Sequence, residues 1–333
     1  MQEIVMTSKP YVYSGNSFIK KYQYLWILIL ILLSTIIYKN IKSKHDKMLC
    51  KQRPITSIFY QPLLKDSMDW ESNLKKLKQA GIKTLILQWS KFGVVDFMKE
   101  EKWLRTILSY AQKYKIKVIV GLYGDDKYFK ILENRDTDIE TYLNNLHRQN
   151  IEQAKKIYTV AKRYSSFNGY YIYDEIDDTN FIEKNRQKYL KKYLKDIADS
   201  IEKISPHPLY LSGYFSEQTS PSNYAHMLSK CTEKRYTLLL QSGIGAKLVD
   251  NNTSSLYMQT FSKEFKGKFI PIIEGFTVKK TKIQATNILS LQRQINLVKK
   301  SANTSRLSLF SLRYFLDEQL FSAYLLEYCK TKE

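Results

Sequence analysis

Residues 167–178 read FNGYYIYDEIDD: a run of aromatic and β-branched side chains that breaks into Asp174, Glu175, Asp177 and Asp178. Such a run is a strand buried along most of its length, and the acids mark where it leaves the core. Working outward, similar runs occupy 56–61, 84–90, 117–123, 168–174, 208–214, 236–241, 268–274 and 306–312. Segments with apolar residues at three- and four-residue spacing alternate with them, at about 67–80, 100–114, 138–164, 182–203, 221–231, 253–265, 284–300 and 317–329. Eight strands, each followed by a helix, predict an α/β protein with a single (β/α)8 TIM barrel over residues 54–333. A doubly wound sheet is disfavoured, because the first strand-to-helix turn, Gln61 to Asp66, has no glycine to cradle a phosphate.

A barrel of this kind builds its site from the C-terminal ends of its strands. Here those ends carry Gln61, Gln88, Trp89, Tyr123 with Asp125 and Asp126, Asp174, Glu175, Tyr214, Gln241, Glu274 and Arg313. Glu175 closes the fourth strand and Glu274 the seventh, which face each other across the mouth. That pair suits glycoside hydrolysis: one carboxyl protonates the leaving oxygen, and the other attacks the anomeric carbon or activates water. Asp174, next in the chain, is expected to raise the pKa of Glu175 by like-charge repulsion. Gln61, Gln88, Trp89, Tyr123, Asp174, Tyr214, Gln241 and Arg313 are expected to line a sugar groove. Plainer readings stand beside these: a solvated acidic loop at 174–178, and a structural Glu274–Arg313 ion pair. An oxygen-ligand site built from Asp125, Asp126, Asp174, Glu175 and Asp177 fits no EF-hand spacing, so no metal or cofactor is expected.

The chain has 333 residues, a formal charge of +21, 44% hydrophobic residues and only 11 Gly and 7 Pro, which excludes disordered and collagen-like classes. Residues 1–53 hold +7 of that charge and the remainder +14. Following a short N-terminal segment, 1–21, residues 22–38 (YQYLWILILILLSTIIY) carry no charge and are flanked by Lys20, Lys21, Lys39, Lys42 and Lys44. They predict one transmembrane helix, with Trp26 and the terminal tyrosines at the interfaces, and residues 39–53 form a basic tether. No later apolar stretch has spanning length, so a single-pass protein on a lipid bilayer is expected. Charge alone leaves orientation open, since lysines flank both ends. Cys50, Cys231 and Cys329 are too scattered for a disulfide scaffold or zinc cluster, and the four histidines lack metal spacing. Lysines are spread over nearly every predicted helix rather than gathered on one motif, so nucleic acid is not an expected partner.

Together, FYQPL (59–63), AGIKTLILQWS (80–90), IKVIVGLYGDDKYF (116–129), FNGYYIYDEIDD (167–178) and LLLQSGIGA (238–246) resemble the bacterial domain-of-unknown-function 4434 family over roughly 56–315. The resemblance implies a glycoside-hydrolase-like TIM barrel with Glu175 at the fourth-strand acid position. It also marks a departure: the family's sixth strand ends Gln-Asp-Gly-x-Gly, whereas this one ends with Gln241, Ser242, Gly243, Ile244 and Gly245. The combined expectation is a membrane-anchored glycoside-hydrolase-like protein acting on a polysaccharide, at the bacterial inner membrane with its barrel extracytoplasmic. The rival from another class is a non-catalytic polysaccharide- or partner-binding barrel in a cell-envelope assembly.

Overall fold

A computed structural model describes residues 33–35, 54–64, 68–280 and 282–329. The chain divides into two units, Met1–Met48 and Leu49–Glu333. In the first, Leu33, Ser34 and Thr35 are helical and exposed, and the rest of the expected membrane span 22–38 lies outside the described residues, as does the tether 39–53. Among the described residues no helix is long and apolar enough to cross a membrane.

The second unit holds a closed barrel of eight parallel strands. They are β1 (Ile55–Tyr60), β2 (Thr84–Leu87), β3 (Lys117–Gly121), β4 (Phe167–Ile176), β5 (Leu209–Gly213), β6 (Tyr236–Gln241), β7 (Lys268–Glu274) and β8 (Leu307–Phe310). Each pairs with its neighbours in chain order, and β8 closes the ring on β1 with Ile58 opposite Leu309. Around it run α1 (Trp70–Gln79), α2 (Lys102–Tyr114), α3 (Ile139–Ala161), α4 (Lys184–Ile204), α5 (Pro221–Thr232), α6 (Asn251–Glu264), α7 (Ile288–Ser301) and α8 (Glu318–Tyr328).

Phe59, Ile86, Ile119, Tyr171, Leu239 and Ile272 meet inside the barrel, one from each of six strands. Each such side chain contributes about 1.5–3 kcal/mol by leaving water. The helices bury one stripe against the outside of the ring: in α4 it is Leu190, Tyr193, Leu194, Ile197, Ala198 and Ile201, spaced at three and four residues. Their starts follow from capping chemistry. Asp69, Asp138, Ser220, Asp250, Asn287 and Asp317 each accept a backbone N–H from the first turn. That is why α1 begins at Trp70, three residues inside the predicted 67–80 segment.

The elements that the periodicity did not predict all lie beyond strand C-termini. They are short strands at 91–92, 95–96 and 123–124, a hairpin pairing Phe276–Lys279 with Lys282–Ala285, and helices at Tyr128–Glu133 and Leu312–Phe315. The barrel ring itself is regular; its crown is irregular. Cys231 is a free, buried thiol, whereas Cys329 is disulfide-bonded, a link the scattered spacing did not suggest.

Candidate active site

Strand alternation sorts the acids of β4. Tyr171 belongs to the interior cluster and Tyr173 packs on it, so Glu175, two residues further, faces inward at the mouth. Gln241, two residues beyond the interior Leu239 on β6, donates from Nε2 to Glu175 Oε1 at 2.9 Å. The Tyr128 hydroxyl donates to the Glu175 carbonyl at 3.1 Å and fixes the backbone there. Burial pushes the Glu175 carboxyl up to about 7; the Gln241 hydrogen bond opposes that rise and the charge of Asp177 adds to it. The side chain nevertheless keeps part of its surface exposed, as do Gln241, Tyr173 and Tyr214.

Asp174 points the other way. It is 2% exposed and sits between the ring and the helices, where Tyr193 of α4 and Asn150 of α3 donate to its Oδ2, the latter at 3.3 Å. The expected Asp174 contribution to a sugar groove is therefore corrected: one step along a strand reverses the face. Nor does Asp174 raise Glu175, whose neighbouring charge is that of Asp177. Burial drives Asp174 itself up to about 7, against its hydrogen bonds from Tyr193 and Asn150.

Asp177 and Asp178 are fully buried, which corrects the solvated-loop reading. Asp177 accepts from the backbone of Thr179 and Asn180 and from the Tyr214 hydroxyl at 3.3 Å. Asp178 accepts from the backbone of Ser216 and Gln218 and from the Tyr257 hydroxyl at 3.2 Å. Together they pin the loops after β4 and β5.

Glu274 ends β7 only 3% exposed. Its carboxylate accepts from Ser242 Oγ at 2.7 Å, from the Gly243 N–H at 3.0 Å and from the Gly245 N–H at 3.1 Å. A side chain at 245 could not fit, since its Cβ would stand 2.4 Å from that of Glu274. Burial raises the Glu274 pKa, and these three donors oppose the rise. Its backbone is gripped as well, by the Gln294 side-chain amide of α7. Arg313 lies exposed on the 312–315 helix, with its guanidinium 3.5 Å from the Gln61 carbonyl.

On the face of β4 that carries Glu175, Tyr173 joins an aromatic cluster. Trp89 stacks on Phe92 at 4.4 Å, and both meet Tyr173 edge-on at 5.4 and 5.7 Å. Trp89 is buried and donates from Nε1 to the Pro62 carbonyl at 3.1 Å, so Phe92 and Tyr173 offer the accessible faces. Gln88 is buried beside them, and its Oε1 has no hydrogen-bond partner among the described residues. Tyr123 lies 5.2 Å beneath the Lys91 ammonium, and the Tyr214 ring meets Phe129 at 5.9 Å. The sequence reading missed Tyr173 and Phe92. Tyr173 was within reach, because it shares the face of Glu175 at a spacing of two; Phe92 rides on a two-residue strand that has no period. Among the described residues no group of three or more His, Cys, Asp or Glu is placed to hold a metal ion.

Residues 55–317 match the family described as a domain of unknown function, number 4434. The chain belongs to that family. A curated relative, the uncharacterized protein YbcH of Escherichia coli K12, is 29% identical over 210 residues, spanning 61% of this chain and 69% of YbcH. Among solved structures, the barrel is similar to a "putative alpha-L-fucosidase" from Bacteroides thetaiotaomicron, with a TM-score of 0.64 and 15% identity, covering 83% of this chain and 94% of that one. It is also similar to a GH18 chitinase from Pseudoalteromonas aurantia, with a TM-score of 0.52 and 11% identity, covering 82% of this chain and 99% of that one. At such identities the likeness establishes the TIM-barrel fold alone, and chemistry has to be argued from the residues.

Proposed function

We propose that this family member takes a polysaccharide in its barrel mouth, with Glu175 as the proton donor to the glycosidic oxygen and Glu274 as the second carboxylate. One observation carries the reading. Glu175 faces into the mouth with its carboxyl at about 7, so near neutrality it has a proton to give and, once ionised, can take one back. Gln241 orients it, and Tyr173 and Phe92 supply aromatic faces suited to the C–H faces of a sugar ring. The test is release of reducing ends from bacterial exopolysaccharides by the full chain. Turnover that persists in Glu175→Gln would end the assignment.

A second reading has its own observation. Glu274 is 3% exposed and already receives three hydrogen bonds, an arrangement suited to holding a loop rather than attacking a sugar. It favours a non-catalytic polysaccharide- or partner-binding barrel in a cell-envelope assembly. Saccharide binding without turnover by the wild type, retained in Glu175→Gln, would select it.

The membrane anchor at 22–38 and an extracytoplasmic barrel at a bacterial inner membrane belong to the same proposal. The disulfide at Cys329 supports that orientation, because such bonds persist in oxidising compartments. Peptide mapping without reductant is expected to recover the peptide containing Cys329 in disulfide-linked form. A free thiol at Cys329 in protein from intact cells would place the barrel on the reducing side.

A further inference from the structure

We propose that the groove between the 276–285 hairpin, α7 and the start of α6 binds an anionic saccharide segment. Its location rests on the sugar-directed reading of the neighbouring mouth; its ligand class rests on its own lining.

The groove encloses about 840 Å³, a size that accommodates sugar units. Gly245 and Phe276 are among its lining residues. Gly245 donates to Glu274, and Phe276 packs at 6.2 Å on Phe310 and 5.3 Å on Tyr314, so the groove adjoins the loops that follow β6 and β7. Its walls carry Lys279, Arg293 and Lys300, and no Asp or Glu lines it. Among the described residues, Lys279, Arg293 and Lys300 take part in no ion pair.

Cations without counter-charge, facing one concave space, are a standing attraction for an anion. Arg293 adds a planar fork that matches carboxylate, sulfate or phosphate geometry. Gln284 and Asn296 line the same space and supply amide donors and acceptors of the kind sugar hydroxyls use. That mixture favours a charged sugar over a bare polyanion. Single-stranded nucleic acid would call for exposed aromatic platforms, whereas the aromatic lining residue, Phe276, is 8% exposed.

The experiment titrates the full chain calorimetrically with hexagalacturonate and a heparin-derived hexasaccharide, and uses maltohexaose as the uncharged control. At least one charged oligomer is expected to bind more tightly than maltohexaose, with an affinity that falls as salt rises. The triple variant K279Q/R293Q/K300Q is expected to weaken that binding by about tenfold or more, with its melting temperature unchanged. Glu175→Gln is expected to retain it, so loss of turnover without loss of binding separates this proposal from the catalytic one. Equal affinity for the three oligomers, or charged binding indifferent to the triple variant, would overturn the proposal. So would tighter binding of phosphatidylglycerol vesicles or a single-stranded oligonucleotide that the triple variant abolishes, since that marks a general polyanion surface.

Discussion

The C-terminal ends of β4 and β7 begin with the same residue type and treat it in opposite ways. At β4, Glu175 is followed by Asp177 and Asp178, which take over the task of pinning the loops, so Glu175 keeps an accessible face and a single side-chain hydrogen bond, from Gln241. At β7, Glu274 is followed by Gly275 and Phe276, and the carboxylate of Glu274 itself gathers Ser242, Gly243 and Gly245. A buried turn must satisfy its N–H groups with some acceptor, and the nearest carboxylate is drafted for it. Position at a strand end therefore says that an acid is available to a site. Whether it is free for chemistry depends on whether another acid holds the loop.

The comparison breaks most sharply through activity. Glu175→Gln is expected to lower reducing-end release by about 10²–10⁴-fold with no loss in melting temperature, the magnitude of a lost general acid. In the wild type the same release should fall as pH rises through about 7, where Glu175 gives up its proton. Glu274→Ala, unlike Glu175→Gln, should also unfold the protein more readily. Leaving Ser242 and two backbone N–H groups buried without an acceptor costs about 3 kcal/mol or more in urea unfolding. An unfolding curve like that of the wild type would remove Glu274 from the loop-holding role.

Two smaller effects sharpen the contrast. Ser242→Ala removes one of the three donors to Glu274 and should cost about 1.5 kcal/mol, roughly half of the larger change. Asp174 supplies a pH signature. Its folded pKa, about 7, lies above the unfolded value, so the native state holds the extra proton. That contribution is complete below about pH 4 and is lost as pH rises through about 7. Asp174→Asn should keep the Tyr193 and Asn150 hydrogen bonds and flatten the decline of melting temperature across that window. Glu175 and Glu274, both raised by burial, contribute to the slope that remains, and the Asp174→Asn, Glu175→Gln pair should reduce it further. A slope unchanged in Asp174→Asn would mean that the site between ring and helices is not what raises the group.

Much of the fold was legible because its cues are local. The eight strand runs and the helices between them coincide with the ring and its surround, displaced at ends where a cap sets the boundary. The predicted 284–300 helix starts at Ile288, because Asn287 caps it and residues 282–285 instead pair with 276–279. The crown was not legible: strands of two residues have no period, and while 91–92 pairs locally with 95–96, it also pairs with 123–124, about thirty residues away. The site was half legible. Strand ends located Glu175, Gln241 and Glu274, but alternation within β4 had to be anchored by Tyr171 inside the barrel before Asp174 could be assigned to the helix side.

From the sequence alone came the order of strands and helices, hence the barrel, and the identity of the acids available at its mouth. Periodicity and capping are short-range effects of backbone sterics and of one apolar face, and they survive without knowledge of neighbours. Only the tertiary structure decided that Glu175 keeps an open face while Glu274 is enclosed, that Asp174 turns away, and that Cys329 is bonded. Each of those outcomes depends on which distant loop, helix or sulfur arrives at the residue, and the chain around it carries no record of that arrival.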